Sequence, residues 1–176
     1  MRQVNLAIAS LTHAHVRKYY QTLHDNQKIN WIAVSCATEE VAENFKAYGY
    51  DIPIYMSTEE MLKAHPEIDG VIIASENFRH YGDMELCCKY GKHMLSMKVP
   101  TFNLEEYDRM IEMVEKADVL CQVELEMHYN PTCARVLELV HSGAIGEIIS
   151  FNATNITLSP VWAFPWQGDP EISYGK

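Results

Sequence analysis

Residues Val71–Pro100, VIIASENFRHYGDMELCCKYGKHMLSMKVP, spell a strand, a polar turn, a helix, a second strand and a lysine. Val71-Ile72-Ile73-Ala74 is a short apolar run rich in β-branched side chains, the pattern of a strand covered on both faces. Ser75-Glu76-Asn77 ends that run, and a helix is predicted from about Phe78 to Tyr90. Gly91 follows, where a helix takes a left-handed terminal residue. His93-Met94-Leu95-Ser96 is the next strand, parallel to the first because a right-handed helical crossover joins them. Parallel neighbours lie roughly 4.8 Å apart. Asn77 and Lys98 are therefore expected at adjacent strand ends, on the edge where open α/β sheets bind ligands.

Working outward, the same alternation of elements continues in both directions. Val4–Ala9 is a buried first strand, followed by the turn Ser10-Leu11-Thr12 and a helix expected from about His13 to His24, with Thr12 as its cap. Trp31–Ser35 is the second strand, and Thr38 caps a helix from Glu39 to about Tyr48 that Gly49 stops. Ile52–Tyr55 is a short third strand. Ser57-Thr58-Glu59-Glu60 fits a capping box for the next helix, which Pro66 ends. Asn103-Leu104-Glu105-Glu106 fits another, opening a helix whose Tyr107, Met110, Ile111 and Val114 recur at helical spacing. Val119–Val123 is the sixth strand. Strands alternating with helices in this way predict a doubly wound parallel Rossmann sheet of the α/β class over residues 1–123.

The pattern changes afterwards. Asn130-Pro131 opens a helix with a cap and an N1 proline, and Ser142-Gly143 closes it. Glu147–Leu158 alternates polar and apolar and is expected to be a strand of antiparallel type. One such strand is unstable without a sheet around it. Residues 124–176 are therefore expected to be the beginning of a second α+β domain, incomplete as it stands. Trp162, Phe164 and Trp166, in a proline-rich tail without predicted elements, are expected either to pack on the rest of that sheet or on a partner subunit, or to stack on a sugar ring or cover a pocket.

Composition narrows the function classes. The 176 residues carry 24 acidic and 14 Lys and Arg side chains, a net charge of −10 that disfavours nucleic acid or an anionic membrane as partner. No apolar run approaches the ~20 residues of a membrane span. The five cysteines lack metal-ligand spacing, so no metal is expected. They read as reduced, mostly buried thiols of a cytoplasmic protein.

A dinucleotide fold carries G-x-G-x-x-G after its first strand; here Ala9, Leu11 and Ala14 stand at the three glycine positions. Leucine at the second obstructs the backbone's approach to a pyrophosphate. The helix start still offers free N–H groups around Thr12 and His13. The second strand of such folds usually ends in an acid for NAD or is followed by an arginine for NADP. The matching position is Cys36, so the choice between NAD and NADP is open.

Ala74-Ser75-Glu76-Asn77-Phe78-Arg79-His80 resembles the ATPNxxH segment of the glucose–fructose oxidoreductase, inositol dehydrogenase and rhizopine-catabolism (Gfo/Idh/MocA) family. Gly91–Lys98 resembles its GKHVLCEKP, and Ser142–Glu147 its SGxIGEI. The resemblance implies NAD or NADP as cofactor and a sugar, inositol or related polyol as substrate. It implies a catalytic Lys98 beside the nicotinamide and cofactor contacts from Ala9, Leu11, Thr12, His13, Cys36, Ser75, Asn77 and His80; the other use of His80 is to pack the loop from the first turn of its helix. His128 and Tyr129 match positions that line the family's substrate pocket. A large antiparallel second domain is implied to complete the active site and a homo-oligomer interface. Met97 replaces the motif's glutamate, Pro100 stands one residue late, and the family's D-x-x-x-H pair has no match. Leu11, Cys36 and Met97 motivate an alternative: a non-catalytic sensor or assembly protein that binds a nucleotide or sugar. A pure oligomerisation scaffold is the third reading.

Overall fold

The computed structural model describes residues 2–13, 15–47, 51–154 and 165–173. Six parallel strands form one sheet: β1 (Val4–Ala9), β2 (Ile29–Ser35), β3 (Ile54–Tyr55), β4 (Gly70–Ile73), β5 (His93–Ser96) and β6 (Cys121–Val123). Their order across the sheet is β3-β2-β1-β4-β5-β6. The chain thus leaves β1 in one direction, returns after β3, and continues on the other side from β4. The boundary between β1 and β4 is the topological switch point, where a crevice opens above the carboxyl ends of the strands.

Helices cover both faces because successive strand residues point to opposite sides. Ile8, Val34, Ile72 and Ala74 pack with Val16 and Tyr20 of α1 (Val16–Leu23) and with Ala42 and Phe45 of α2 (Glu39–Lys46). Ala7, Ala9, Val71 and Ile73 pack on the other face with Met61 and Leu62 of α3 (Thr58–Ala64). Met84 and Cys87 of α4 (His80–Lys89) and Met110 of α5 (Leu104–Ala117) complete that layer. All five cysteines are free, and burial pushes the Cys87 thiol far above its ordinary value.

Local signals explain most boundaries. The side chains of Thr38, Ser57 and Asn103 each accept a hydrogen bond from a main-chain N–H in the first turn of α2, α3 and α5. Gly91 has φ +63°, which a β-carbon would strain, and it lets the chain turn from α4 into β5. The Gly-Lys-His that follows is structural. Lys92 is buried and donates to the Pro66 and Ile68 carbonyls at 2.7 and 2.8 Å, while His93 Nδ1 accepts from Leu120 N–H.

The chain divides into two units, residues 1–123 together with 162–176, and residues 124–161. In the second, Asn130 caps α6 (Pro131–His141), with proline at the first helical position. Residues 147–154 form no strand, against expectation; Ile149 is 96% exposed, and no neighbouring strand among the described residues offers hydrogen-bond partners. The remainder of that predicted strand, like Ala14, Tyr48, Gly49, Trp162 and Phe164, lies outside the described residues. The tail does hold elements, a 3-10 turn at Pro165–Gly168 and the short helix α7 (Pro170–Ser173).

Candidate nucleotide-binding crevice

The first wall of the crevice is the turn after β1. Ser10 adopts φ +62°, a left-handed conformation that swings the chain off the strand. Leu11 then turns its side chain into the core beside α1 and α2, so it does not block the main chain from a ligand. That removes the obstruction expected from leucine at a glycine position. Thr12 does not cap the helix: its hydroxyl pairs with Ser10 Oγ at 3.0 Å, and α1 begins only at Val16 with no side-chain cap. His13 is buried, and its N–H donates to the Ala74 carbonyl at 3.0 Å, tying the turn to the tip of β4. Among the described residues, the N–H groups of Leu11 and Thr12 have no acceptor. Unsatisfied main-chain donors before a helix form an anion-binding element, and they fit the pyrophosphate of a dinucleotide.

The second wall is the tip of β4, where Ser75 is buried and a 3-10 turn runs from Asn77 to Arg79. Asn77 is 4% exposed, yet its side-chain amide makes no hydrogen bond among the described residues. One strand further on, Ile73 pairs with Ser96, and Met97 N–H donates to the Ile73 carbonyl at 3.0 Å. That register puts Lys98 on the same sheet edge as Asn77. Lys98 is exposed, and its ammonium has neither a hydrogen bond nor an ion pair among the described residues.

Two expected contacts are corrected. His80 is fully buried, with Nε2 at 2.9 Å from the Ser75 carbonyl and Nδ1 at 2.7 Å from the Val99 carbonyl. Neither ring nitrogen is left for a ligand. The imidazole instead ties the tip of β4 to the residue after Lys98. Cys36 is also buried; its thiol approaches Met56 sulfur at 3.8 Å, and burial raises its pKa above the ordinary thiol value. It offers a ribose neither an acid nor an exposed donor. Ala9 lies wholly in the core, so only its main chain borders the turn. His128 and Tyr129 sit in an exposed 3-10 turn of the 124–161 unit.

Of the two readings of Trp166, packing on a second-domain sheet is not what its described contacts show. Its indole Nε1 donates to the Thr12 carbonyl at 2.9 Å, and its ring lies 6.4 Å from that of His13. The helix α7 packs on the Asn77–Arg79 turn. The 165–173 segment therefore touches both walls. A tryptophan among prolines was the available signal, but nothing in its spacing identified the contact. A separate cleft of about 580 Å³ between α4 and α5, lined by Glu85, Cys88, Lys89 and Lys116 among others, contains none of the candidate residues.

A six-stranded doubly wound sheet with free N–H groups at the first turn, beside its switch point, defines a Rossmann-type nucleotide-binding domain. The chain belongs to the Gfo/Idh/MocA oxidoreductase family with an NAD-binding Rossmann fold, whose sequence profile matches residues 8–125. It is 31% identical over 112 residues to an uncharacterized oxidoreductase of Synechocystis, covering 64% of this chain and 29% of that protein. Its identity with myo-inositol 2-dehydrogenase of Thermotoga maritima is 30% over 93 residues, covering 53% and 28%. Scyllo-inositol dehydrogenase from Lactobacillus casei, solved with NAD(H) and scyllo-inositol, superposes with a TM-score of 0.75 at 18% identity, over 83% of this chain and 43% of that one. The chain thus spans under a third of the length of these two curated relatives. Among the described residues, no helix is long and apolar enough to cross a membrane.

Proposed function

We propose that this chain forms the nicotinamide-binding part of an NAD(P)-dependent oxidoreductase that oxidises a secondary hydroxyl of a sugar, inositol or related polyol. The observation that carries the reading is the pair of unpartnered groups at adjacent strand ends. The Asn77 amide and the Lys98 ammonium, unpaired among the described residues, share one sheet edge with the open N–H groups of Leu11 and Thr12. The cofactor, when bound, supplies the hydride acceptor. The N–H groups of Leu11 and Thr12 hold its pyrophosphate, and Asn77 hydrogen-bonds its nicotinamide-side ribose. Lys98 donates to the oxygen of the reacting carbon and takes part in its proton transfer. Two of the similar proteins are named as inositol dehydrogenases, which supports a polyol. Association of copies through the second domain belongs to the same proposal.

Nothing in the comparisons favours the non-catalytic alternative, and the obstruction it invoked is absent. Leu11, Cys36 and Met97 are all buried in one apolar cluster, so none intrudes on the crevice. Titration of the full-length protein with NADH and NADPH tests the reading, followed by melting temperature and by tryptophan emission, for which Trp166 is a local reporter. A ligand at a hundredfold its Kd stabilises by about 2.7 kcal/mol, so one of the two is expected to raise the melting temperature clearly. Turnover on a panel of polyols then identifies the substrate. No shift with either nucleotide at millimolar concentration would overturn the proposal.

A further inference from the structure

Beneath the crevice lies a chain of buried side chains that the proposed chemistry does not use. Ser10 N–H donates to Ser35 Oγ at 3.1 Å, Ser35 Oγ lies 3.0 Å from Thr58 Oγ1, and Thr58 Oγ1 donates to Asp83 Oδ1 at 3.1 Å. The four residues are each 2–6% exposed. They come from four different places: the turn after β1, the end of β2, the first residue of α3, and α4. With Asp83 ionised, the direction of donation is fixed throughout. Thr58 has one hydroxyl hydrogen and gives it to the carboxyl, so Ser35 must donate to Thr58, leaving the Ser35 oxygen free to accept from Ser10.

The relay ends on the one turn residue whose backbone is unusual. A non-glycine residue at φ +62° persists only where its surroundings over-determine it. Here the Ser10 N–H is held by the relay and its hydroxyl by Thr12. Asp83 is an expensive anchor: burial pushes its carboxyl above the ordinary value, and the Arg79 charge and the Thr58 hydroxyl offset that only in part. Its second oxygen is buried without a hydrogen-bond partner. A polar group this poorly compensated is unexpected on an apolar helix face that elsewhere presents Met84 and Cys87 to the core.

Resting on the nucleotide-binding reading of the turn, we propose that Asp83 is a positioning residue for the cofactor. Through Thr58 and Ser35 it holds the Ser10 N–H, and so presents the Leu11 and Thr12 N–H groups to the pyrophosphate. Neither Asp83 nor Thr58 touches the ligand; both act through the main chain of the turn.

The test cuts the relay in the full-length protein. Thr58→Val removes the middle link, Ser35→Ala removes the one above it without uncovering Asp83, and Thr58→Ser keeps the hydroxyl. Two readouts are taken: amide hydrogen exchange at Ser10 against Ile8 in β1, and the Kd of NADH and NADPH. Thr58→Val and Ser35→Ala are expected to accelerate exchange at Ser10 about tenfold beyond any change at Ile8, and to weaken nucleotide binding about tenfold, as loss of one buried hydrogen bond implies. Thr58→Ser restores both. If Thr58→Val fails to fold, Ser35→Ala decides. Equal acceleration at Ser10 and Ile8, no rescue by Thr58→Ser, or unchanged affinity in the cut variants overturns the proposal. Should the wild type bind neither nucleotide, the reading of the turn falls, while the exchange comparison still decides whether the relay holds it.

Discussion

The two sides of the crevice are built in opposite ways. At the β1 turn the side chains are buried and paired: Ser10 with Thr12 and Ser35, His13 at the Ala74 carbonyl through its main chain, Leu11 in the core. At the tips of β4 and β5, by contrast, an amide and an ammonium are left without partners among the described residues. The first side spends its side chains on fixing a backbone shape and leaves main-chain donors for a ligand. The second fixes the backbone elsewhere and leaves side chains free. A phosphate needs the former, since N–H groups in a set geometry bind it regardless of side-chain identity. A reacting hydroxyl needs the latter, because proton transfer takes a titratable group that moves with the substrate.

The largest break in that contrast is expected from Lys98→Met, which removes the ammonium and keeps the stem. Since general acid–base groups contribute about 10²–10⁴-fold, turnover on the identified polyol should fall by about that factor, with the Kd of the preferred nucleotide changed less than about threefold. Steady-state kinetics with a separate binding titration check it. Equal losses in binding and turnover would place Lys98 on the cofactor side of the comparison.

His80→Ala comes next, because this residue joins the two sides. Both of its ring nitrogens face main-chain carbonyls, Ser75 at the β4 tip and Val99 beside Lys98. Removing the ring takes away the contact to the buried Ser75 carbonyl and opens a cavity, for an expected loss of about 2–4 kcal/mol in urea unfolding. The exposed Glu105→Gln serves as the reference, with no measurable loss. A destabilisation under about 1 kcal/mol would show that the clamp is dispensable.

How much of this was legible beforehand follows from what kind of signal each part carries. The alternation of strands and helices, the caps Thr38, Ser57 and Asn103, and Gly91 are written in short-range patterns, so the doubly wound sheet and the expectation of a shared edge for Asn77 and Lys98 came from the residues alone. For His80 the packing role was legible as one of two readings, but not its partners, since a motif histidine looks the same whether its nitrogens meet a ligand or two carbonyls. Leu11 was misread for a related reason. Its position in the turn was correct, but the direction of a side chain after a left-handed residue depends on the tertiary core it reaches. The relay was invisible because its members are separated by 23 to 25 residues and are all of types common in turns and caps.

The smallest effect, and the sharpest for the buried side, is the pH response of Asp83. Its carboxyl is held above the ordinary value by burial, so the folded state keeps that proton more tightly than the unfolded chain does. Below the ordinary carboxylate value near 3.8 both states are protonated and the group contributes its full share. As pH rises through the raised value, the folded state must ionise a buried group, and that stability is lost. Asp83→Asn keeps an oxygen for the Thr58 hydroxyl and cannot ionise. The variant should therefore gain on the wild type in melting temperature as pH rises from 4 towards 8, while nucleotide affinity and Ser10 exchange stay as they are. Parallel melting curves across that range would mean that Asp83 ionises as it does in water. The carboxyl would then have enough polar contact to count among the open groups of the crevice, and the division between a sealed side and a free side would fail at its deepest residue.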